Sequence, residues 1–233
     1  DQKEIASFDR DYTFVRILPN RVQALRRFGK SLKATVNDVF MAAYWTAVQR
    51  VLRAPEDVEV RLRITVDLRR YLPGKTAEAI CNMSGFAHLY LGRCDRLDFA
   101  GLVQAVRNET RRQKARTIGL SDWAWLRFLR ADGFHAPLER AFARVVSNPK
   151  LQMSSMTTFT NIGVIDPTRV YFDNKRARDA LVTASVVYPP LLAPALTGFG
   201  DQLTLSAGFC DVPSVRRLVT DLLAETVAAL PAA

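Results

Sequence analysis

Few side chains in this sequence can take a proton from a hydroxyl or amine near neutral pH. There are two histidines, His88 and His135, and neither has an aspartate four residues on: Gly92 and Glu139 stand there. No Ser-His-Asp or Cys-His pairing can be assembled, and no glycine-rich phosphate loop is present. His88, between Phe86 and Tyr90, reads as a packed sheet residue, and His135, in G-F-H-A-P, as a loop residue. Polar residues gathered at strand ends are the better candidates. The run V-D-L-R-R-Y-L-P-G, Val66 to Gly74, sets Asp67 two residues from Arg69, close enough to pair across one turn. N-M-S-G-F, Asn82 to Phe86, brings Asn82 and Ser84. In Met156 to Gly163, Thr158 and Thr160 alternate with Phe159, so both hydroxyls face one side of a strand, with Asn161 next. Hydroxyl and amide groups so placed can donate to an oxyanion. They equally suit a polar sheet face, or an Asn opening the turn at Gly163.

These residues need a sheet to hold them. Tyr12 to Leu18 reads as a strand, followed by a helix with Val22, Leu25 and Phe28 on one face and Asn20 as its cap. After T-V-N-D, a helix from about Val39 to Leu52 is apolar on more than one side, hence buried, with Asn37 or Asp38 capping it. Leu62, Ile64 and Val66 alternate with polar residues as a strand, and a second strand runs from Gly85 to Leu91. Phe99 to Arg116 is helical by its Phe99, Leu102, Val103, Val106 spacing, and 121–147 reads as two shorter helices, with Trp123, Trp125 and Phe128 packing one of them. Further strands are expected at Met156 to Ile165, Ala180 to Val187 and Gln202 to Cys210. A last helix carries Val215, Leu218, Val219, Leu222 and Leu223. Long loops are expected at 166–179 and 189–201. The order lacks a strict strand-helix-strand rhythm. It predicts an α+β fold, a two-layer α/β sandwich with a mixed, largely antiparallel sheet.

Length and composition (233 residues, 48% apolar, 24% charged) suit one large globular domain or two small ones, with length enough for a full core. No apolar run is long enough for a transmembrane segment. Three scattered cysteines, Cys81, Cys94 and Cys210, argue against a disulfide framework or zinc site, which predicts a cytoplasmic setting, with Cys210 filling core. The first residue, Asp1, predicts a fragment of a longer chain. Thirty-three basic residues against 23 acidic ones leave a net charge of +10, which attracts anionic partners in general. No zinc-finger spacing, RNA-binding aromatic motif or basic tail directs that charge to nucleic acid.

Four segments in order carry a resemblance: A-T-V-N-D-V-F-M-A-A (Ala34 to Ala43), V-D-L-R-R-Y-L-P-G with N-M-S-G-F, F-T-N-I-G (Phe159 to Gly163), and T-G-F-G-D-Q-L-T-L-S (Thr197 to Ser206). Together they resemble the C-terminal lobe of the chloramphenicol-acetyltransferase-like superfamily, which includes condensation domains, alcohol acetyltransferases and wax-ester synthases. The resemblance implies that residues 1–233 form one lobe, with a tunnel between it and a second. Acyl-CoA or the phosphopantetheine of an acyl carrier protein is the donor there, an alcohol or amine is the acceptor, and no cofactor is held covalently. It implies that the catalytic histidine sits in a His-x-x-x-Asp motif of an N-terminal lobe, so that this chain contributes no catalytic residue. Arg69, with Arg70 as fallback, then pairs with that motif's Asp, while Thr158, Thr160, Asn161, Asn82 and Ser84 line the tunnel. A homodimer through the exposed lobe face is a further expectation. The alternative is a non-catalytic binding or scaffolding module derived from the same fold.

Overall fold

The computed structural model describes residues 9–53, 61–76, 81–91, 97–121, 157–188 and 191–232, with scattered positions between 124 and 148. The expected helices of 121–147, His135, Cys94, Trp123, Trp125, Phe128 and the start of a strand at Met156 lie wholly or largely outside the described residues.

Nine strands are described: β1 (Arg10–Ile17), β2 (Leu62–Asp67), β3 (Ser84–Leu89), β4 (Thr158–Ile165), β5 (Tyr171–Phe172), β6 (Lys175–Arg176), β7 (Val186–Val187), β8 (Ala195–Phe199) and β9 (Gln202–Cys210). The main helices are α1 (Pro19–Ser31), α2 (Val36–Leu52), α3 (Phe99–Lys114) and α4 (Pro213–Ala229). The large sheet runs β1-β9-β8-β4-β2-β3, with β7 added beside β9, and β5 and β6 form a separate hairpin. Pairings β1–β9, β8–β9 and β2–β3 are antiparallel; β2–β4, β4–β8 and β7–β9 are parallel. The fold is α+β, with a mixed sheet carrying its helices as a second layer.

Helix α2 is central because it is apolar all round: Val39, Phe40, Ala43, Tyr44, Trp45, Ala47 and Val48 are all buried. It packs between α4 and α3, and α1 rests on it and on β9. The sheet meets this layer through the inward-facing Leu62, Ile64, Ala87, Leu89, Phe159, Leu196 and Leu205. Over β8 and β9 the opposite face is covered as well. Segment 179–188 crosses it, and the hydroxyls of Thr197 and Ser206 donate to the Val182 carbonyl at 3.2 and 3.3 Å. Arg16 of β1 ties Asp179 at the start of that segment, and the guanidinium holds the carboxyl below its usual range. Cys210 is buried, and desolvation raises its thiol pKa, so it fills core as expected.

Several expectations need correcting. Asn20 does not cap α1: Pro19 takes the first helical position, where a missing N–H costs nothing, and Leu18 precedes it. Neither Asn37 nor Asp38 caps α2. Thr35 is the cap, and Asp38, three residues on, closes a capping box with it. The strand expected over Ala180 to Val187 reduces to the two residues of β7, because its earlier part carries the crossing segment. The expected loop 189–201 contains β8, buried over Ala195–Gly198 and so without the alternation that marks a half-exposed strand. The hairpin β5–β6 lies inside the other expected loop.

Candidate functional site

The central strands β2, β4 and β8 run parallel, so their carboxyl ends open on the same edge of the sheet. That edge is where open sheets with parallel strands place ligands, since the backbone stops pairing there and loops can converge. Most of the expected site residues sit on it.

Asp67 ends β2 and pairs with Ser84 at the start of β3. Its Oδ1 accepts from the Arg69 N–H at 2.9 Å, which opens a 3₁₀ turn over Leu68–Tyr71. The Arg69 guanidinium then bridges outward and back, donating to Asp67 Oδ1 at 3.3 Å and to the Cys81 carbonyl at 2.9 Å. The same-turn pairing of Asp67 and Arg69 is thus present. The Arg69 side chain is 35% exposed. Asn82 accepts from the Ser84 N–H at 2.9 Å, turning the chain into β3. Behind it, Gly85 comes so close to the Gly119 carbonyl that a Cβ would sit 2.5 Å from that oxygen, which accounts for the glycine of N-M-S-G-F.

On β4, Thr158 is buried, and its hydroxyl accepts from Arg63 Nε at 2.8 Å. Thr160 is half-buried and lies nearer the carboxyl end. Asn161 is exposed and committed on both sides of its amide. Its Oδ1 accepts from the Gly163 N–H at 2.9 Å, and its Nδ2 donates to Asn37 Oδ1 at 3.0 Å. A β-bulge falls between Asn161 and Gly163, where Gly163 has φ 92°, a left-handed conformation that a side chain resists. The bulge shifts the register of β4 against β8, and the Asn37 contact ties the strand to α2 at that point.

Asn37 therefore belongs to the site, and spacing alone did not reveal it. It lies in the first turn of α2, whose position is set by Asp38. Asp38 Oδ2 accepts from the Thr35 N–H (2.9 Å) and hydroxyl (2.8 Å), and Oδ1 accepts from the Thr110 hydroxyl of α3 at 3.1 Å. The T-x-x-D spacing within T-V-N-D was the available signal for the capping box. The contact across 124 positions from Asn37 to Asn161 had none.

His88 sits in β3 opposite Arg63, and the Gln113 amide of α3 donates to its carbonyl at 3.2 Å. Among the described residues no group of histidine, cysteine or carboxylate side chains could hold a metal ion, and no helix is long and apolar enough to cross a membrane.

No protein-family model and no curated protein sequence matches the chain. Solved structures do. Polyketide synthase associated protein 5 from Mycobacterium tuberculosis aligns with a TM-score of 0.62 and 14% identity, over 93% of this chain and 50% of its own. The trichothecene 15-O-acetyltransferase of Fusarium sporotrichioides aligns with a TM-score of 0.61 and 14% identity, over 95% and 47%. A wax ester synthase/diacylglycerol acyltransferase from Marinobacter aquaeolei aligns with a TM-score of 0.53 and 19% identity, over 94% and 49%. The chain spans about half the length of each. Sheet order, helix layer and these alignments together give one conclusion: the chain has the fold of a single lobe of the chloramphenicol-acetyltransferase-like condensation and acyltransferase superfamily.

Proposed function

We propose that this chain is the C-terminal half of a two-lobe acyltransferase that moves an acyl group from a thioester to an alcohol or amine. The observation that supports the reading is a mismatch: a fold shared with about half the length of known acyltransferases, with the polar strand ends described above, and no His-x-x-x-Asp anywhere in 233 residues. The histidine of the other lobe removes the acceptor's proton, and the freed oxygen or nitrogen attacks the thioester carbonyl. The resulting tetrahedral oxyanion collapses with loss of the thiolate, which takes the proton back from the histidine. Thr160, Asn161, Asn82 and Ser84 line this chain's side of the tunnel. Arg69 braces the motif's aspartate. The donor is acyl-CoA or an acyl carrier protein, both anionic and suited to a +10 lobe.

The test is to produce this lobe joined to the half that precedes it in its gene and to measure ester or amide formation from acyl-CoA. Turnover that disappears when the motif histidine of the preceding half becomes alanine supports the reading. A joined protein that binds acyl-CoA or an acceptor without turnover supports the scaffolding alternative instead.

A further inference from the structure

Adjoining the candidate tunnel edge, and sharing Asp67 and Asn37 with it, an open cleft of ≈ 450 Å³ lies between the 68–75 turn and the C-terminal end of α3. Arg70, Lys75 and Lys114 line it, with Asp67 as its one acid. Asp67 is already engaged by Arg69, and among the described residues no carboxylate pairs with Arg70, Lys75 or Lys114. Three cations facing one hollow repel one another and gain from an anion between them. Asn37, in the first turn of the 17-residue α2, lines the same hollow; the Asp38 carboxylate in that turn offsets the positive end of the helix dipole, so the field comes from the three cations.

The walls are held in place before any ligand arrives. The Tyr71 hydroxyl donates to the Ile118 carbonyl at 2.9 Å and ties the turn to the chain beyond α3. Thr110, also on the cleft, ties α3 to Asp38 and so to α2. Lys75 itself is held at φ 55°, directly after Gly74 at φ 64°. A lysine in the left-handed region is costly, and here it is one of the three residues that bring charge to the cleft.

We propose that this cleft is a phosphate-binding site, selecting ligands that carry a phosphate monoester or diphosphate group. Arg70 offers a planar fork to two phosphate oxygens, while Lys75 and Lys114 act as point charges on either side. This does not rest on the acyl-transfer reading, since the cations and the hollow are there whatever the chain does. Two sources share the chemistry: the phosphates of coenzyme A, and free diphosphate or nucleotide.

Titration calorimetry of the purified chain separates them, using pyrophosphate, coenzyme A and phosphate-free pantetheine as probes. Pyrophosphate and coenzyme A are expected to bind and to weaken as salt is raised, and pantetheine to bind at least roughly tenfold more weakly. The double variant K75E/K114E is expected to lose at least about tenfold in affinity for both phosphate probes. Its melting temperature is expected to stay near wild type, because among the described residues neither lysine pairs with a carboxylate. Tighter binding of coenzyme A than of pyrophosphate assigns the site to the pantetheine donor, and equal binding assigns it to free diphosphate. Binding untouched by the charge reversal, pantetheine binding as tightly as coenzyme A, or no binding of either phosphate probe overturns the proposal. Single variants K75A and K114A, each expected to lose several-fold, keep the test valid if the double variant fails to fold.

Discussion

Asp38→Ala is expected to lower the stability of this lobe by about 3 kcal/mol, seen as a fall of roughly 6–12 °C in melting temperature. The size follows from what one buried carboxylate holds. Asp38 is 4% exposed and accepts three hydrogen bonds: two from the helix cap Thr35 and one from Thr110 of the neighbouring helix. Loss of a capping interaction alone costs about 1 kcal/mol. Removing the carboxylate also leaves the buried Thr110 hydroxyl with only the Arg107 carbonyl, and it empties space in a packed region. Asp38→Asn keeps the shape and an acceptor, so a smaller loss is expected. Chemical unfolding of the two variants checks the order. An Asp38→Ala protein as stable as wild type would show that α2 is placed by its apolar core contacts alone. The effect reaches the candidate site, because the turn that Asp38 fixes carries Asn37, and Asn37 holds Asn161.

Arg69→Ala is expected to divide its effects between two measurements. In the isolated lobe it removes a partly exposed bond to Asp67 and one to the Cys81 carbonyl. Exposed pairs of this kind contribute little, so a change under about 1 kcal/mol is expected there. On the proposed reading, the same substitution in the two-lobe protein strips the partner from the motif's carboxylate at the lobe interface. Breaking such a pair costs about 3–5 kcal/mol when it is buried. Because that carboxylate orients the histidine motif, kcat/KM is expected to fall roughly a hundredfold, mainly through kcat. Arg69→Lys, which keeps the charge and loses the fork, is expected to recover part of it. Equal small losses in both measurements would reduce Arg69 to a turn-stabilising residue, and the brace would then have to be sought elsewhere.

How legible each part was follows from the physics of each element. Helix α2 was clear from the sequence because all of its faces are apolar, and β2 because one of its faces is wet. Strand β8 was hidden for the opposite reason: β4 and β9 flank it, helices lie below and the 179–188 segment above, so its side chains carry no alternating pattern. Pro194 and Gly198 deepened the impression of a loop. Asn20 was taken for a cap on residue type, but Pro19 pre-sets the backbone angle that starts α1 without a side-chain cap. At the site, Asp67, Arg69, Asn82 and Ser84 could be grouped because they lie close in sequence on one pair of strands. The Asn37–Asn161 bond could not, since nothing local in either segment signals the parallel pairing of β2, β4 and β8 that brings α2 beside β4.

The central claim is that the proton acceptor for acyl transfer lies outside these 233 residues. The most direct test is a turnover assay on the purified chain alone, with acyl-CoA and a panel of alcohols and amines, following release of free thiol. The account predicts a rate no higher than that of the uncatalysed mixture, with or without His88→Ala. Sustained turnover by the isolated chain, abolished by His88→Ala, would contradict it.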